Sequence, residues 1–122
     1  MKHVMVVDDD RTTVCLLAML LEMDGFRVSQ ATQPAAALER GRSEGVEAFV
    51  IDCNLAGQSG LDLVKEIRAD EILANAVVIL TSGQDLSRAA TEAGADLFLL
   101  KPFPASALSS NLAELVQSSG PA

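Results

Sequence analysis

Polar residues able to do chemistry directly follow the short apolar runs of this sequence. Asp8 and Asp9 come after VMVV, Asp52 ends AFVID, Thr81 follows VVIL and Lys101 follows LFLL. Each apolar run is typical of a strand that is buried on both faces, as in a parallel sheet. Because parallel strands end at the same edge of a sheet, we expect these five side chains to converge there.

The expected convergence would bring together the carboxylates of Asp8, Asp9 and Asp52. Three carboxylates held close together repel one another unless positive charge balances them. Lys101 would supply one such charge, and a divalent cation would supply two more. Carboxylate oxygens suit Mg²⁺, which binds one or two carboxylates together with waters and phosphate oxygens. A carboxylate nucleophile, a lysine, a hydroxyl and a magnesium site together favour phosphoryl transfer through an aspartyl phosphate.

Amphipathic segments separate the apolar runs and predict the elements that position these residues. In the first such segment, apolar residues recur three or four positions apart at Val14, Leu17 and Leu21, as on one face of a helix. Strands alternating with helices predict a parallel sheet with helices on both faces, of (βα)₅ type. The segment FRVSQA alternates apolar and polar residues as an edge strand does. This favours the doubly wound strand order 2-1-3-4-5.

Several positions carry local predictions that a structure can test. Asp10 is expected to turn away from the site and cap the helix that starts at Arg11. Thr32 is expected to cap the second helix. Cys15 is interpreted as a buried residue of the first helix, and His3 as an exposed residue at the start of the first strand.

Composition limits the function classes that this chain can serve. The 122 residues are 49% hydrophobic and predict one domain at 1–118, with 119–122 as a tail or the start of a linker. A net charge of −8 with only nine Lys and Arg residues argues against direct nucleic-acid binding. No apolar run is long enough to span a membrane. Two cysteines without metal-site spacing are interpreted as reduced thiols of a cytoplasmic protein.

Four segments together resemble the response regulator receiver domain, of the CheY type. They are VVDDD, VIDCNLAGQSGLDLVKEIR, ILTS and ADLFLLKPF, and they stand in the family's order along essentially the whole chain. The resemblance implies a flavodoxin-like fold and a phosphorylation-dependent switch of a two-component system. It implies a phosphoryl donor that is a sensor histidine kinase or a histidine phosphotransfer protein. It also implies that the chain is not an enzyme beyond catalysing its own phosphorylation and dephosphorylation.

The resemblance further implies a role for each matching residue at the site. Asp52 matches the phosphoacceptor, and Lys101 matches the lysine that contacts the phosphoryl oxygens. The Lys101–Pro102 peptide bond matches one that is usually cis in the family. The residues implied to hold Mg²⁺ are Asp8, Asp9, Asp52 and Asn54, with Asp9 as a direct ligand, Asp8 acting through water and Asn54 contributing its backbone carbonyl.

The same resemblance predicts how phosphorylation would reach a partner. Thr81 matches the hydroxyl that moves toward the phosphoryl group, and Phe98 matches the aromatic switch, although it lacks the hydroxyl of the tyrosine often found there. The output surface would be the face formed by the fourth helix, the fifth strand and the fifth helix. We expect a downstream protein or output domain to bind this face around Arg88, Leu97, Leu99 and Ser106.

Two alternative functions remain open from the residues. A small phosphatase of the haloacid dehalogenase type also uses an aspartate nucleophile, but it carries a second aspartate two residues later, where this chain has Asn54. A degenerate receiver would act as a protein-interaction module that no longer takes up a phosphoryl group. The intact set of Asp8, Asp9, Asp52, Thr81 and Lys101 argues against that alternative.

Overall fold

Five parallel strands form the main sheet of the protein. The computed structural model describes residues 1–55 and 57–118, so the predicted tail at 119–122 lies outside the described residues. The strands are β1 His3–Val7, β2 Arg27–Ala31, β3 Ala48–Asp52, β4 Val77–Ser82 and β5 Leu97–Leu100. The helices are α1 Arg11–Met23, α2 Pro34–Glu44, α3 Gly60–Ala69, α4 Ser87–Ala93 and α5 Ala105–Ser118.

The strand order is β2-β1-β3-β4-β5, which confirms the doubly wound topology. Strand β2 lies at one edge, as its alternating pattern predicts. An additional small hairpin, which the sequence patterns do not predict, pairs Asn54–Leu55 with Gln58–Ser59 directly after β3. This hairpin is so short that no apolar periodicity marks it. It fills the connection between β3 and α3.

Two apolar layers cover the faces of the sheet. One layer packs α2, α3 and α4 against residues such as Phe49, Ile51 and Leu80. The other packs α1 and α5 against residues such as Val6, Val50 and Ile79. Both layers use the alternate residues of the same central strands, which explains why these strands are continuously apolar. Among the described residues, no helix has the length and apolar character needed to cross a membrane.

Strand β5 is less buried than its sequence predicts. The run LFLL was interpreted as a strand buried on both faces, yet Leu97, Phe98 and Leu99 are only half-buried and Leu100 is 49% exposed. The interpretation is wrong because β5 is the second edge of the sheet. An apolar run alone does not distinguish an edge strand from a central one.

The structure decides both helix-cap predictions. The Asp10 carboxylate accepts the backbone N–H of Thr12 at 3.1 Å and the hydroxyl of Thr13 at 2.8 Å, which confirms the cap of α1. The Thr13 hydrogen bond is the main cause that lowers the pKa of Asp10. The Thr32 prediction is wrong by one residue, because the N-cap of α2 is Gln33 and Pro34 opens the helix.

Two predictions of side-chain exposure are wrong. His3 is 4% exposed, and its Nε2 lies 2.6 Å from the hydroxyl of Ser29 on β2. Ser29 in turn donates to Glu44 at 2.5 Å, and this bond is the main cause that lowers the pKa of Glu44. Cys15 is exposed, and its thiol lies 3.7 Å from the side-chain oxygen of Gln30 on the edge strand β2. In both cases the environment depends on elements distant in the sequence.

Candidate functional site

The carboxyl ends of β1, β3 and β5 bring two carboxylates and one lysine together. Asp8 follows β1, Asp52 ends β3 and Lys101 follows β5. The Lys101 Nζ lies 2.7 Å from the Asp52 Oδ2 and 3.7 Å from the Asp8 Oδ2. The predicted convergence of these three side chains is therefore present.

Asp52 is held by its own loop as well as by Lys101. Its side chain is buried, and the backbone N–H of Asn54 donates to Oδ1 at 2.9 Å. Behind it, the N–H of Cys53 donates to the carbonyl of Thr81 at 2.8 Å and extends the pairing of β3 with β4. The two oxygens thus have different partners, and the carboxylate has a fixed orientation. Burial raises the pKa of the neighbouring Cys53 thiol, which keeps that thiol protonated.

Asp8 is the more deeply buried of the two carboxylates, at 4% exposed. Burial is the main cause that raises its pKa from 3.8 to about 6, and the charge of Asp52 adds to the rise. The backbone N–H of Asp10, which donates to Oδ1 at 3.0 Å, and the charge of Lys101 act in the opposite direction. The site therefore holds more negative charge than the single lysine neutralises.

Lys101 is fixed at both its backbone and its ammonium group. Burial lowers its pKa, but the hydrogen bond and the charge of Asp52 outweigh that cause, so the net shift is upward. Its backbone N–H donates to the carbonyl of Ser82 at 2.8 Å. The Lys101–Pro102 peptide bond is cis, as predicted. Lys101 is thus a permanently charged partner of the two carboxylates at neutral pH.

Asp9 directly follows Asp8 in the chain, and the N–H of Asn54 contacts the Asp52 carboxylate. Asp9 and Asn54 are both exposed. Within residues 1–55 and 57–118, no group of three acidic, histidine or cysteine side chains is close enough together to form a metal site. The donor set nevertheless fits Mg²⁺, because Asp8 and Asp52 supply the one or two carboxylates that this ion takes and their excess negative charge favours a cation. Asp9 and the carbonyl of Asn54 remain predicted ligands.

A cavity of about 690 Å³ opens at Asp52 and Lys101. Its walls are the small hairpin on one side and the β4–α4 connection on the other, including Ser82 and Gln84. Thr81 is 3% exposed and pairs with Asp52 in the sheet. The residue after it, Ser82, lines the cavity, although the sequence argument did not single it out. All six residues of the strand VVILTS are buried, so neither the sequence nor burial alone distinguishes Ser82 as the residue that lines the cavity.

Phe98 belongs to the apolar layer that contains α4. It is half-buried, pairs with Leu80 in the sheet and packs against the apolar cluster of α2, α3 and α4. Packing against this cluster is a sufficient structural reason for an aromatic side chain here, and the role of Phe98 as a switch stays a prediction.

Comparison with known sequences finds one protein family and several transcriptional regulatory proteins that match most of this chain. Residues 4–113 match the protein family described as "Response regulator receiver domain". The transcriptional regulatory protein PrrA of Mycobacterium leprae is 35% identical over 119 residues, which cover 97% of this chain and 51% of that protein. The transcriptional regulatory protein CpxR of Escherichia coli is 35% identical over 105 residues, which cover 84% of this chain and 44% of that protein. The chain spans about half the length of these regulators.

Comparison with solved structures also finds receiver domains of similar fold. A response regulator receiver domain (CheY-like) from Methylobacillus flagellatus has a TM-score of 0.85 and 31% identity, covering 94% of this chain and 98% of that one. A receiver domain protein (CheY-like) from Methanospirillum hungatei has a TM-score of 0.90 at 23% identity, covering 98% and 96% of the two chains. The second similarity concerns the fold alone.

Proposed function

We propose, since this chain belongs to the response regulator receiver domain family, that it is a phosphorylation-dependent signalling switch whose phosphoacceptor is Asp52. The observation that carries the proposal is the 2.7 Å contact between Lys101 Nζ and Asp52 Oδ2 at the mouth of the cavity. A buried carboxylate with a fixed orientation and an adjacent ammonium group suits attack on phosphorus. The ammonium group also suits the stabilisation of the phosphoryl oxygens that result.

The phosphoryl donor is a phosphohistidine of a sensor kinase or of a phosphotransfer protein. One carboxylate oxygen of Asp52 forms a bond to phosphorus as the P–N bond of the phosphohistidine breaks, and the imidazole leaves as a neutral ring that has taken up one proton from the solvent. Lys101 stays within reach of the phosphoryl oxygens throughout. Loss of the phosphoryl group to water returns Asp52 to its starting state. The chain therefore acts on its own carboxylate and does not turn over an external substrate.

Mg²⁺ is the cofactor that the site would hold. Asp8, Asp9, Asp52 and the carbonyl of Asn54 are its proposed ligands. When bound, the ion would supply positive charge that stabilises the oxygens of the transferring phosphoryl group. Asp8 and Asp52 contribute by holding their carboxylates side by side, and Lys101 contributes by balancing only part of their charge.

Phosphorylation would alter the face formed by α4, β5 and α5. The phosphoryl group adds negative charge and acceptor oxygens beside the end of β4. Thr81 would move toward it, and Phe98 would occupy the space that Thr81 leaves. Arg88 and Ser106 are exposed on this face, where a downstream protein or output domain would bind. We place the switch in the cytoplasm and assign it no direct contact with nucleic acid or membrane.

Intact-mass spectrometry tests the acceptor. After incubation with acetyl phosphate and Mg²⁺, the native chain is expected to gain one phosphoryl group. Asp52→Asn is expected to gain none, because the amide is not a nucleophile of this kind. Asp62→Asn removes an exposed carboxylate of α3 and serves as the matched control, which should gain the group as the native chain does.

The same experiment separates the proposal from its alternatives. A native chain without adduct would favour a degenerate receiver, and an adduct that persists in Asp52→Asn would place the acceptor elsewhere. A phosphatase would instead hydrolyse small phosphate esters over many turnovers.

A further inference from the structure

Gly60 presses directly against the backbone that carries Asp52. It is the first residue of α3 and is buried. A Cβ atom at this position would lie 2.3 Å from the carbonyl oxygen of Asp52 and 2.8 Å from the Cα of Cys53. The usual separation of non-bonded heavy atoms is about 3.5–4.0 Å. Since Gly60 does not have a positive φ, its missing side chain serves the close approach and not an unusual backbone conformation.

The peptide that joins Asp52 to Cys53 and the peptide that follows it are each held by a hydrogen bond to a neighbouring element. The N–H of Cys53 donates to the carbonyl of Thr81 at 2.8 Å, on the β4 side. The N–H of Gly60 donates to the carbonyl of Cys53 at 2.7 Å, on the α3 side. Because the Asp52 side chain is attached to the Asp52–Cys53 peptide, any movement of that peptide moves the carboxylate that Lys101 contacts.

We propose that Gly60 is a positioning residue for the phosphoacceptor, because its missing side chain lets the first turn of α3 fix the backbone of Asp52 in place. The proposal rests on the proposed role of Asp52 and adds what sets the direction of its carboxylate. Gly60 acts through the Asp52–Cys53 peptide and does not itself contact the reacting atoms.

An added methyl group at position 60 would displace the peptide and not the helix. Helix α3 is anchored by Leu63, Val64 and Ile67, all 0% exposed in the core. A close-packed core deforms little, so α3 cannot move by the roughly 1 Å that would relieve the overlap between the added Cβ atom and the Asp52 carbonyl oxygen. The end of β3 is the remaining part that can move. A displacement of about 1 Å in a reacting group can lower a rate by about 100-fold.

Gly60→Ala tests the proposal against Gly41→Ala as a matched control. A Cβ atom at Gly41 would also overlap its surroundings, at 2.8 Å from the Cζ of Phe49, but it lies in the core away from Asp52. Both variants should lose stability. With acetyl phosphate and Mg²⁺, Gly60→Ala is expected to be phosphorylated about 10- to 100-fold more slowly per folded molecule, and Gly41→Ala within about twofold of the native rate.

A second readout does not depend on phosphorylation. The amide resonances of Asn54, whose N–H donates to the Asp52 carboxylate, and the side-chain resonances of Lys101, whose Nζ donates to it, should shift in the NMR spectrum of unphosphorylated Gly60→Ala and stay in place in Gly41→Ala. If the native chain forms no adduct at Asp52, the proposed function fails while these resonances still decide the role of Gly60. A native phosphorylation rate in Gly60→Ala, an equal loss in both variants or unshifted resonances would each overturn the inference.

Ser59→Ala provides a variant that folds if Gly60→Ala does not. The Ser59 hydroxyl accepts the N–H of Leu61 at 3.1 Å and caps α3, so its loss loosens the first turn without adding volume. The resonance of Asn54 should then shift and the phosphorylation rate should fall by about twofold or more. A native rate together with an unshifted resonance in Ser59→Ala would count against the proposal.

Discussion

The buried carboxylate of Asp8 makes the stability of the metal-free protein depend on pH. Its pKa is raised from 3.8 to about 6, chiefly by burial, so the folded protein binds this proton more tightly than the unfolded chain does. The stabilising effect of the proton is complete below pH 3.8 and is lost as the pH rises through about 6. At neutral pH, the ionised and buried Asp8 carboxylate therefore lowers the free energy of unfolding of the metal-free protein.

Asp8→Asn should raise the free energy of unfolding in the absence of Mg²⁺. At about pH 7.5 we expect a gain on the order of 1 kcal/mol, since the amide cannot ionise but retains an oxygen for the N–H of Asp10. At about pH 4 the gain should vanish, because the native carboxyl is then protonated. Urea denaturation in EDTA at both pH values measures the difference.

The matched control for Asp8→Asn is Glu71→Gln, which neutralises an exposed carboxylate in the loop after α3. Its effect should stay within about 0.5 kcal/mol at either pH. A destabilised Asp8→Asn at neutral pH would contradict the assignment of the raised pKa to burial.

The site residues that the sequence predicts best are those that end a strand. Asp8, Asp52 and Lys101 could be assigned to one edge because β1, β3 and β5 are parallel and each places a polar residue at its end. The environments of His3 and Cys15 could not be predicted in this way. The surroundings of His3 come from β2 and α2, and the exposed thiol of Cys15 lies beside Gln30 of the edge strand β2. Such relations appear only once the elements pack.

At the scale of elements, the side chain of Arg68 joins the end of α3 to the region of α4 and β5. Its Nε donates to the carbonyl of Gly94 at 2.8 Å, and its Nη1 donates to the carbonyls of Ala74 and Ala76 at 2.9 and 2.6 Å. Its Nη2 pairs with Asp96 at 2.9 Å. One guanidinium group thus holds the C-terminal end of α4 and the start of β5, at the end of the sheet away from Asp52.

Arg68→Ala should destabilise the fold by about 2–4 kcal/mol, because it leaves several partly buried carbonyls without a donor. Amide hydrogen exchange at Gly94 and along β5 should speed up by more than exchange in β1. Arg42→Ala is the control, since Arg42 makes a single ion pair with Asp70 at 2.6 Å and is itself 40% exposed. That variant should lose at most about 1 kcal/mol. Equal losses in both variants would show that the network around Arg68 adds nothing beyond one surface pair.

Element type and order were predictable, whereas the exposure of individual strands was only partly so. Continuous apolar runs identified β1, β3 and β4, because both of their faces are covered by helices. The same pattern wrongly predicted full burial of β5, whose apolar residues are only partly covered because it is an edge strand. The hairpin of Asn54–Leu55 and Gln58–Ser59 had no detectable pattern at all, since each of its strands is two residues long. Periodicity therefore cannot predict a strand that is no longer than one two-residue repeat.

At the scale of the whole molecule, the net charge of −8 adds to the local repulsion at the site. A chain with excess negative charge is destabilised by self-repulsion, and any added salt reduces that effect by screening. Specific binding of Mg²⁺ differs, because an ion that binds only the folded state stabilises it by about 2.7 kcal/mol at 100 times its dissociation constant. The two effects can be separated by comparing salts at equal ionic strength.

We therefore expect the melting temperature to rise with Mg²⁺ by clearly more than with KCl of the same ionic strength. Removing the ion with EDTA should reverse the rise. In Asp52→Asn the Mg²⁺-specific part should shrink, because one of the two converging carboxylates is neutral, whereas in Asp62→Asn it should persist. Equal responses to the two salts would mean that the acidic residues act only through the overall charge. A Mg²⁺-specific response retained in Asp52→Asn would instead place the ion away from the carboxylates that Lys101 joins.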